Sequence, residues 1–91
     1  NMKVRKQFVL REISGEYVIL PMEKTPPDMN RLITLNEIQA YLWQMLQEET
    51  GFDDLLRRTV EVYDVSEAAA REDIQEFLEI LTEGGMMEEP K

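Results

Sequence analysis

The stretch RLITLNEIQAYLWQML (residues 31–46) decides the fold, because its hydrophobic period changes with no loop in between. The first four residues, RLIT, form a short β-prone run that predicts a strand. Thr34 and Glu37 then stand in the Ser/Thr-x-x-Glu spacing of a capping box, so we expect Thr34 to cap a helix. The apolar residues that follow have the i, i+3, i+4, i+7 spacing of an amphipathic helix: Ile38, Tyr41, Leu42, Met45 and Leu46.

Trp43, the single tryptophan of the chain, lies within this helical pattern. Together with Leu35 it widens the apolar arc, so the helix should be buried on more than one side. A tryptophan in such a stripe more often packs in a core than faces a partner. We therefore interpret Trp43 as a core residue.

Two further β-prone runs precede this stretch. QFVLREI (7–13) and YVILP (17–21) flank the turn residues SGE (14–16), which is typical of a β-hairpin with a tight, glycine-containing turn. MEKTPPDMN (22–30) contains two consecutive prolines and predicts a loop. The chain therefore begins with three short strands, of which residues 31–34 are the third.

The second helix is predicted from a second capping signal, in which Thr50 precedes Asp53 by three residues. Its apolar residues should face inward: Phe52, Leu55, Leu56, Val60 and Tyr63.

The third helix should begin at Ser66 and end through an αL-type cap at Gly84 and Gly85, after which Met86 and Met87 fold back onto the core. It should bury Ala70, Ile74, Phe77, Leu78 and Leu81. The order β-β-β-α-α-α predicts an α+β, winged-helix-like fold, with three N-terminal antiparallel strands followed by three helices.

The length of 91 residues suits one domain, which we expect to span residues 1–91 with an ordered core at about 7–87. We interpret Met2 as the natural first residue. The start is charged throughout, which is unlike a signal peptide, and no apolar run approaches the length of a membrane span. A cytoplasmic location is expected, and the absence of cysteine is compatible with it.

The side-chain inventory argues against catalysis. The chain contains no cysteine and no histidine, so it lacks the usual nucleophile–base pairs and the commonest metal ligand. The adjacent carboxylates Glu48-Glu49 and Asp53-Asp54 are interpreted as solvated surface, and the acids of REDIQEFLEI (71–80) lack a calcium-loop pattern. Arg57 and Arg58 should form surface ion pairs. No catalytic residue, metal site or cofactor is expected.

The net charge of −9 is unevenly spread. Residues 1–45 contain six basic and five acidic side chains, whereas residues 46–91 contain four basic and fourteen acidic ones. Such a surface repels phosphate backbones, so nucleic acid is not expected as a partner.

The third strand is the candidate functional element. If it lies at a sheet edge, its unpaired N–H and C=O groups can accept an extended peptide by β-augmentation. The alternative is that a helix covers it, and periodicity does not separate the two. The same edge would allow a homodimer formed by strand exchange.

Three segments together resemble the PqqD family. ITLNEIQAYLWQML (33–46) is similar to that family's Leu-Asn-x-x-(small)-x-x-(Ile/Leu)-Trp segment. VYDVSEAAAREDIQEFLEILTEGGMMEE (62–89) resembles its closing pattern, and FVLREISGEYVILP (8–21) fits its opening hairpin. The resemblance covers about residues 7–89.

This resemblance implies a RiPP recognition element, which is a module that binds the leader segment of a ribosomally made precursor peptide. The leader would add as a strand to the third strand, rest against the third helix, and be presented to a modifying enzyme, often a radical SAM protein. In the pathway that names the family, the product is the redox cofactor PQQ. Carried over by position, the peptide-binding residues would be Asn30, Arg31, Leu32, Ile33, Thr34, Asp73, Glu76, Phe77 and Ile80.

Two other functions compete with this one. A winged-helix DNA-binding or regulatory domain would share the architecture, but it needs a basic recognition helix, and the third helix here is acidic. A small enzyme would need a pocket that encloses polar groups.

Overall fold

The computed structural model describes residues 1–22 and 33–89. The elements are three strands followed by three helices: β1 (Phe8–Ile13), β2 (Glu16–Pro21), β3 (Ile33–Leu35), α1 (Glu37–Met45), α2 (Phe52–Val62) and α3 (Glu67–Glu83). This confirms the predicted α+β order. The predicted loop at 22–30, apart from Met22, and the first two residues of the predicted third strand lie outside the described residues.

The three strands form one antiparallel sheet in the order β1-β2-β3. Ser14 and Gly15 connect β1 to β2 with φ angles of 51° and 82°. Two successive positive φ angles are the geometry of a type I′ turn, whose twist matches that of the flanking strands. The predicted hairpin is therefore confirmed.

One face of the sheet packs on the helices. Ile19 and Leu35 are buried in the core, and Leu10, Tyr17 and Ile33 pack against it from the same face. Because side chains alternate along a strand, Thr34 lies on the opposite face, where it is exposed.

The start of α1 differs from the prediction. The N-cap is Asn36, whose side chain accepts a hydrogen bond from the Gln39 backbone N–H at 2.8 Å. The Gln39 side chain in turn accepts from the Asn36 N–H at 3.0 Å, which completes a capping box. The capping role expected for Thr34 with Glu37 is wrong, because Thr34 is paired with β2 and is still extended.

Replacing Asn36 with alanine should lower the free energy of unfolding by about 1 kcal/mol, because it leaves the Gln39 N–H without its acceptor. Urea unfolding followed by circular dichroism would measure this. Thr34→Ala is the matched control and should change stability by less than about 0.5 kcal/mol. The reverse order of the two effects would contradict the observed cap.

The start of α2 also differs from the prediction. Its N-cap is Gly51, which has no side-chain cap, and the Thr50 hydroxyl lies within 2.9 Å of the carbonyl oxygens of both Met45 and Glu48. Thr50 therefore closes the end of α1 instead of opening α2.

The buried face of α2 also differs from the predicted one. Leu55 and Leu56 are buried as predicted, but Val60 is 37% exposed. Thr59 takes the inward position and donates its hydroxyl hydrogen to the Leu55 carbonyl at 2.7 Å. Because this bond satisfies its polar group internally, a threonine can occupy a core position.

The predicted bounds of α3 are confirmed. Ser66 caps its start by accepting from the Ala69 N–H at 3.1 Å. At its end, Gly85 has a φ of 71°, and Met86 N–H donates to the Leu81 carbonyl at 2.9 Å. With the bond from Gly85 N–H to Thr82 at 3.1 Å, this is a Schellman motif. It turns Met86 back into the core, as predicted.

The core begins earlier than the expected residue 7. Val4 is 2% exposed, its N–H donates to the Leu46 carbonyl at 2.9 Å, and it forms a β-bridge with Met87. Met2 forms a second bridge, with Thr50. The first residues therefore join the end of α1 to the segment after α3.

The interpretation of Trp43 as a core residue is confirmed, since it is 2% exposed. Most of the buried apolar residues in the described ranges form one cluster: Val4, Ile19, Leu35, Leu42, Trp43, Leu46, Leu55, Leu56, Ala70, Ile74, Phe77, Leu81 and Met86. Among the described residues, no helix has the length and apolar character needed to cross a membrane.

Candidate functional site

The edge of the sheet at β3 is the first part of the candidate site. In the order β1-β2-β3, β3 is an outer strand, and β2 is its only partner among the described strands. An outer strand has one row of backbone groups directed away from its neighbour. The pairing of the strands determines which described residue of β3 directs its N–H and C=O groups away from β2.

The hydrogen-bond pattern of the hairpin shows which residues of β2 direct their backbone groups toward β3. The β1–β2 register, continued by one residue, sets Gln7 opposite Met22, and the Met22 N–H donates to the Gln7 carbonyl at 2.6 Å. Bonded and non-bonded positions alternate along an antiparallel pair. Tyr17 and Ile19, at odd separations from Met22, therefore direct their backbone groups away from β1 and toward β3.

The same alternation continues into β3. Tyr17 is paired with Leu35 and Ile19 with Ile33, so these two β3 residues use their backbone groups to bond β2. Thr34, between them, must direct both its N–H and its C=O to the open side. One donor and one acceptor are therefore placed side by side where an added strand would pair.

The second part of the candidate site is a flank of α3. A Cβ atom built on Gly84 would lie 3.7 Å from Cδ1 of Ile33 and 3.3 Å from the Ile80 carbonyl oxygen. The Ile33 side chain of β3 therefore lies next to the end of α3. Ile80 and Glu76 precede Gly84 at intervals of four residues, so they share its flank, and Asp73 lies one turn further back.

The α3 residues proposed for the site differ in exposure. Asp73 and Glu76 are exposed and Ile80 is half-buried, so all three can border a groove beside β3. Phe77 is 0% exposed and belongs to the core cluster, so it offers no contact surface to a peptide.

On the β3 side, Ile33 is half-buried against the core and Thr34 is exposed. Asn30, Arg31 and Leu32 lie outside the described residues, so their proposed role stays a prediction.

The charge of the α3 flank is strongly negative. Arg71 is the only basic residue of α3, and it pairs with Glu67 at 3.2 Å. No described lysine or arginine forms an ion pair with Asp73 or Glu76. Nor do three potential metal-ligating side chains converge anywhere in the described ranges.

Arg57 lies on α2, away from this flank. It forms ion pairs with Asp54 at 3.1 Å and with Glu61 at 3.4 Å, as predicted for a surface arginine. The Asp54 and Glu61 side chains raise the pKa of the Arg57 guanidinium by accepting its hydrogen bonds.

Tyr63, just beyond α2, packs edge-on against Tyr41, with ring centroids 5.6 Å apart. Burial raises the pKa of the Tyr63 phenol above its usual value, and the nearby Glu37 raises it further. This pair stabilises the contact between α1 and α2.

Sequence reasoning missed two features of the site. It assigned Gly84 only to helix termination, whereas the structure also places Gly84 next to Ile33 of β3. It also treated the β3 edge as a uniform run, whereas Thr34 alone among its described residues directs backbone groups outward. The sequence contains no local signal for either feature, since both depend on how β3 pairs with β2.

Fold and site together define an α+β, winged-helix-like domain with an outer strand beside an acidic helix, and no other described strand pairs with the outer side of β3. The chain belongs to the PqqD family, since the model of "Coenzyme PQQ synthesis protein D (PqqD)" matches residues 16–87. A search of curated proteins finds no match.

Two solved structures share the fold. One is TbiB1 in complex with the TbiA(beta) leader peptide, with a TM-score of 0.75 and 20% identity over 99% of each chain. The other is lasso peptide synthetase B1 complexed with the leader peptide, with a TM-score of 0.74 and 20% identity over 97% of this chain and 98% of that one.

Proposed function

We propose that this protein is a non-catalytic RiPP recognition element. It binds the leader segment of a ribosomal precursor peptide by strand addition to β3, and it presents that peptide to a modifying enzyme of the radical SAM class, as in PQQ biosynthesis. The observation that carries the proposal is the outward-directed N–H and C=O of Thr34, beside the flank of α3. Main-chain bonds at such an edge provide affinity, and neighbouring side chains provide specificity.

Family membership and the two leader-peptide complexes of the same fold support this assignment. The peptide-binding residues would be Ile33, Thr34, Asp73, Glu76 and Ile80, with Phe77 beneath them and Asn30, Arg31 and Leu32 extending the edge. The proposal also implies a cytoplasmic location, where a ribosomal peptide is first available. A DNA-binding role is not favoured, because the acidic α3 would repel phosphates.

Amide chemical shifts would test the proposal. The ¹⁵N-labelled full chain is titrated with the N-terminal halves of short peptides encoded beside its gene. We expect saturable shifts concentrated at residues 33–35 and 73–80, together with slowed hydrogen exchange of the Thr34 amide. Saturable shifts confined to other surfaces, or no binding by any of these peptides, would contradict the proposal.

The open edge also allows a second copy to add by strand exchange, which would form a homodimer. In that case the peptide and the second copy would compete for the backbone groups of Thr34. Sedimentation experiments would then show that adding the peptide converts the dimer to the monomer.

A further inference from the structure

The side chains between β3 and α3 are apolar at one end and acidic further along, and this limits which peptide side chains can be accommodated there. A strand added to β3 directs alternate side chains toward the face on which the helices pack. Those side chains would meet Ile33 and Ile80 at one end of the flank, where both are half-buried and apolar. Further along α3 they would meet Glu76 and Asp73, which are exposed and acidic.

The spacing of these two environments matches the spacing of a strand. Glu76 lies about 6 Å along the helix axis from Ile80, since each residue rises about 1.5 Å. Residues i and i+2 of a strand, which face the same side, are about 6.6 Å apart. When the added strand runs along α3, an incoming side chain beside Ile33 and Ile80 has its same-face neighbour beside Glu76, within reach of Asp73.

We infer that the peptide bound at β3 carries a lysine or arginine two residues from an apolar anchor, with Asp73 and Glu76 as the residues that select this charge. The inference rests on the proposed function. The apolar side chain of the peptide is buried between Ile33 and Ile80. The aliphatic part of the peptide's lysine or arginine crosses the groove, so that its charged end reaches the carboxylates of Asp73 and Glu76. A leader with an acidic residue at that position is rejected, because like charges would face each other there.

Another surface provides a matched control. Glu48 and Glu49 are exposed acids between α1 and α2, where they line a surface depression with Arg57 and Arg58 and with no residue of β3 or α3. The double variants D73K/E76K and E48K/E49K change the net charge equally and leave the core untouched. Only the first alters the flank of α3 beside β3.

Selection from a displayed library of random linear peptides tests the inference without a known ligand. The immobilised full chain, D73K/E76K and E48K/E49K are screened in parallel. The original chain and E48K/E49K should both enrich peptides with Lys or Arg two residues from an apolar side chain. D73K/E76K should enrich Asp or Glu at that position.

Affinities of one enriched peptide complete the test. It should bind D73K/E76K about tenfold more weakly than the original chain, and E48K/E49K within about twofold. Changing its basic residue to glutamate should restore binding to D73K/E76K, and the difference should shrink at high salt.

The outcomes separate this inference from the proposed function. Peptides that bind at β3 without any preference for a basic residue, or that bind D73K/E76K unchanged, would overturn the inference and leave peptide binding intact. If none of the three proteins enriches a peptide that shifts the β3 amides, the proposed function fails and the inference fails with it.

Discussion

Replacing Trp43 with alanine is expected to lower the free energy of unfolding by about 3–5 kcal/mol. Trp43 is 2% exposed and belongs to the single core cluster, which draws on the sheet, all three helices and both terminal segments. Removing the indole deletes a large apolar volume that the surrounding elements cannot fully refill. The total stability of a natural domain is about 5–15 kcal/mol, so this loss removes a large share of it.

Far-ultraviolet circular dichroism during urea unfolding would measure this loss, because it does not depend on the tryptophan that is removed. Val62→Ala is the control, since Val62 is apolar but 55% exposed, and it should change stability by less than about 0.5 kcal/mol. A Trp43→Ala variant that unfolds at the original urea concentration, but binds no peptide, would instead mean that the indole serves recognition.

The sequence predicts the strands and helices of this fold well, because the spacing of apolar residues along the chain is typical of one or the other in each of them. Alternation in the hairpin and the 3.6-residue spacing of the three helices are local properties, which depend little on the rest of the molecule. Predicted and observed strands agree within a residue or two over β1 and β2. The bounds of α3 are predicted best, because a serine at one end and two glycines at the other mark them.

The start of α1 could not be predicted in the same way. Thr34 has Glu37 three residues ahead and Asn36 has Gln39, so both pairs fit the spacing of a capping box. The pairing of Leu35 with Tyr17 decides between them, because it keeps the chain extended through Leu35. That pairing links residues far apart in sequence, and a local pattern contains no information about it.

The candidate site shows the same limit. The sequence predicts a third strand and an acidic third helix, and the resemblance to the PqqD family suggests that a peptide lies between them. Which backbone groups face that peptide depends on the register of both strand pairs. The proximity of Gly84 to Ile33 depends on how β3 and α3 pack against each other. Both are tertiary properties.

Replacing Thr34 with proline should reduce leader-peptide binding by more than about tenfold while the fold persists. Proline removes the outward N–H, which is worth about 1 kcal/mol in a typical hydrogen bond, and its ring occupies the position that the added strand needs. The bonds between β2 and β3 remain, because they use the backbone of Ile33 and Leu35. Proline is tolerated at sheet edges where the lost N–H faces away from the sheet.

Calorimetric titration with the peptide that shifts the β3 amides would measure the loss. Thr34→Val is the matched control: it keeps the N–H and a β-branched shape, and its side chain lies on the sheet face away from the groove, so affinity should be unchanged. Ile33→Pro makes the opposite change, because the N–H it removes is directed at β2, and it should destabilise the sheet itself. The opposite result would be a well-folded Ile33→Pro variant together with normal peptide binding by Thr34→Pro. It would mean that the leader pairs with the backbone groups of Ile33 and Leu35 instead of those of Thr34, or that it binds elsewhere.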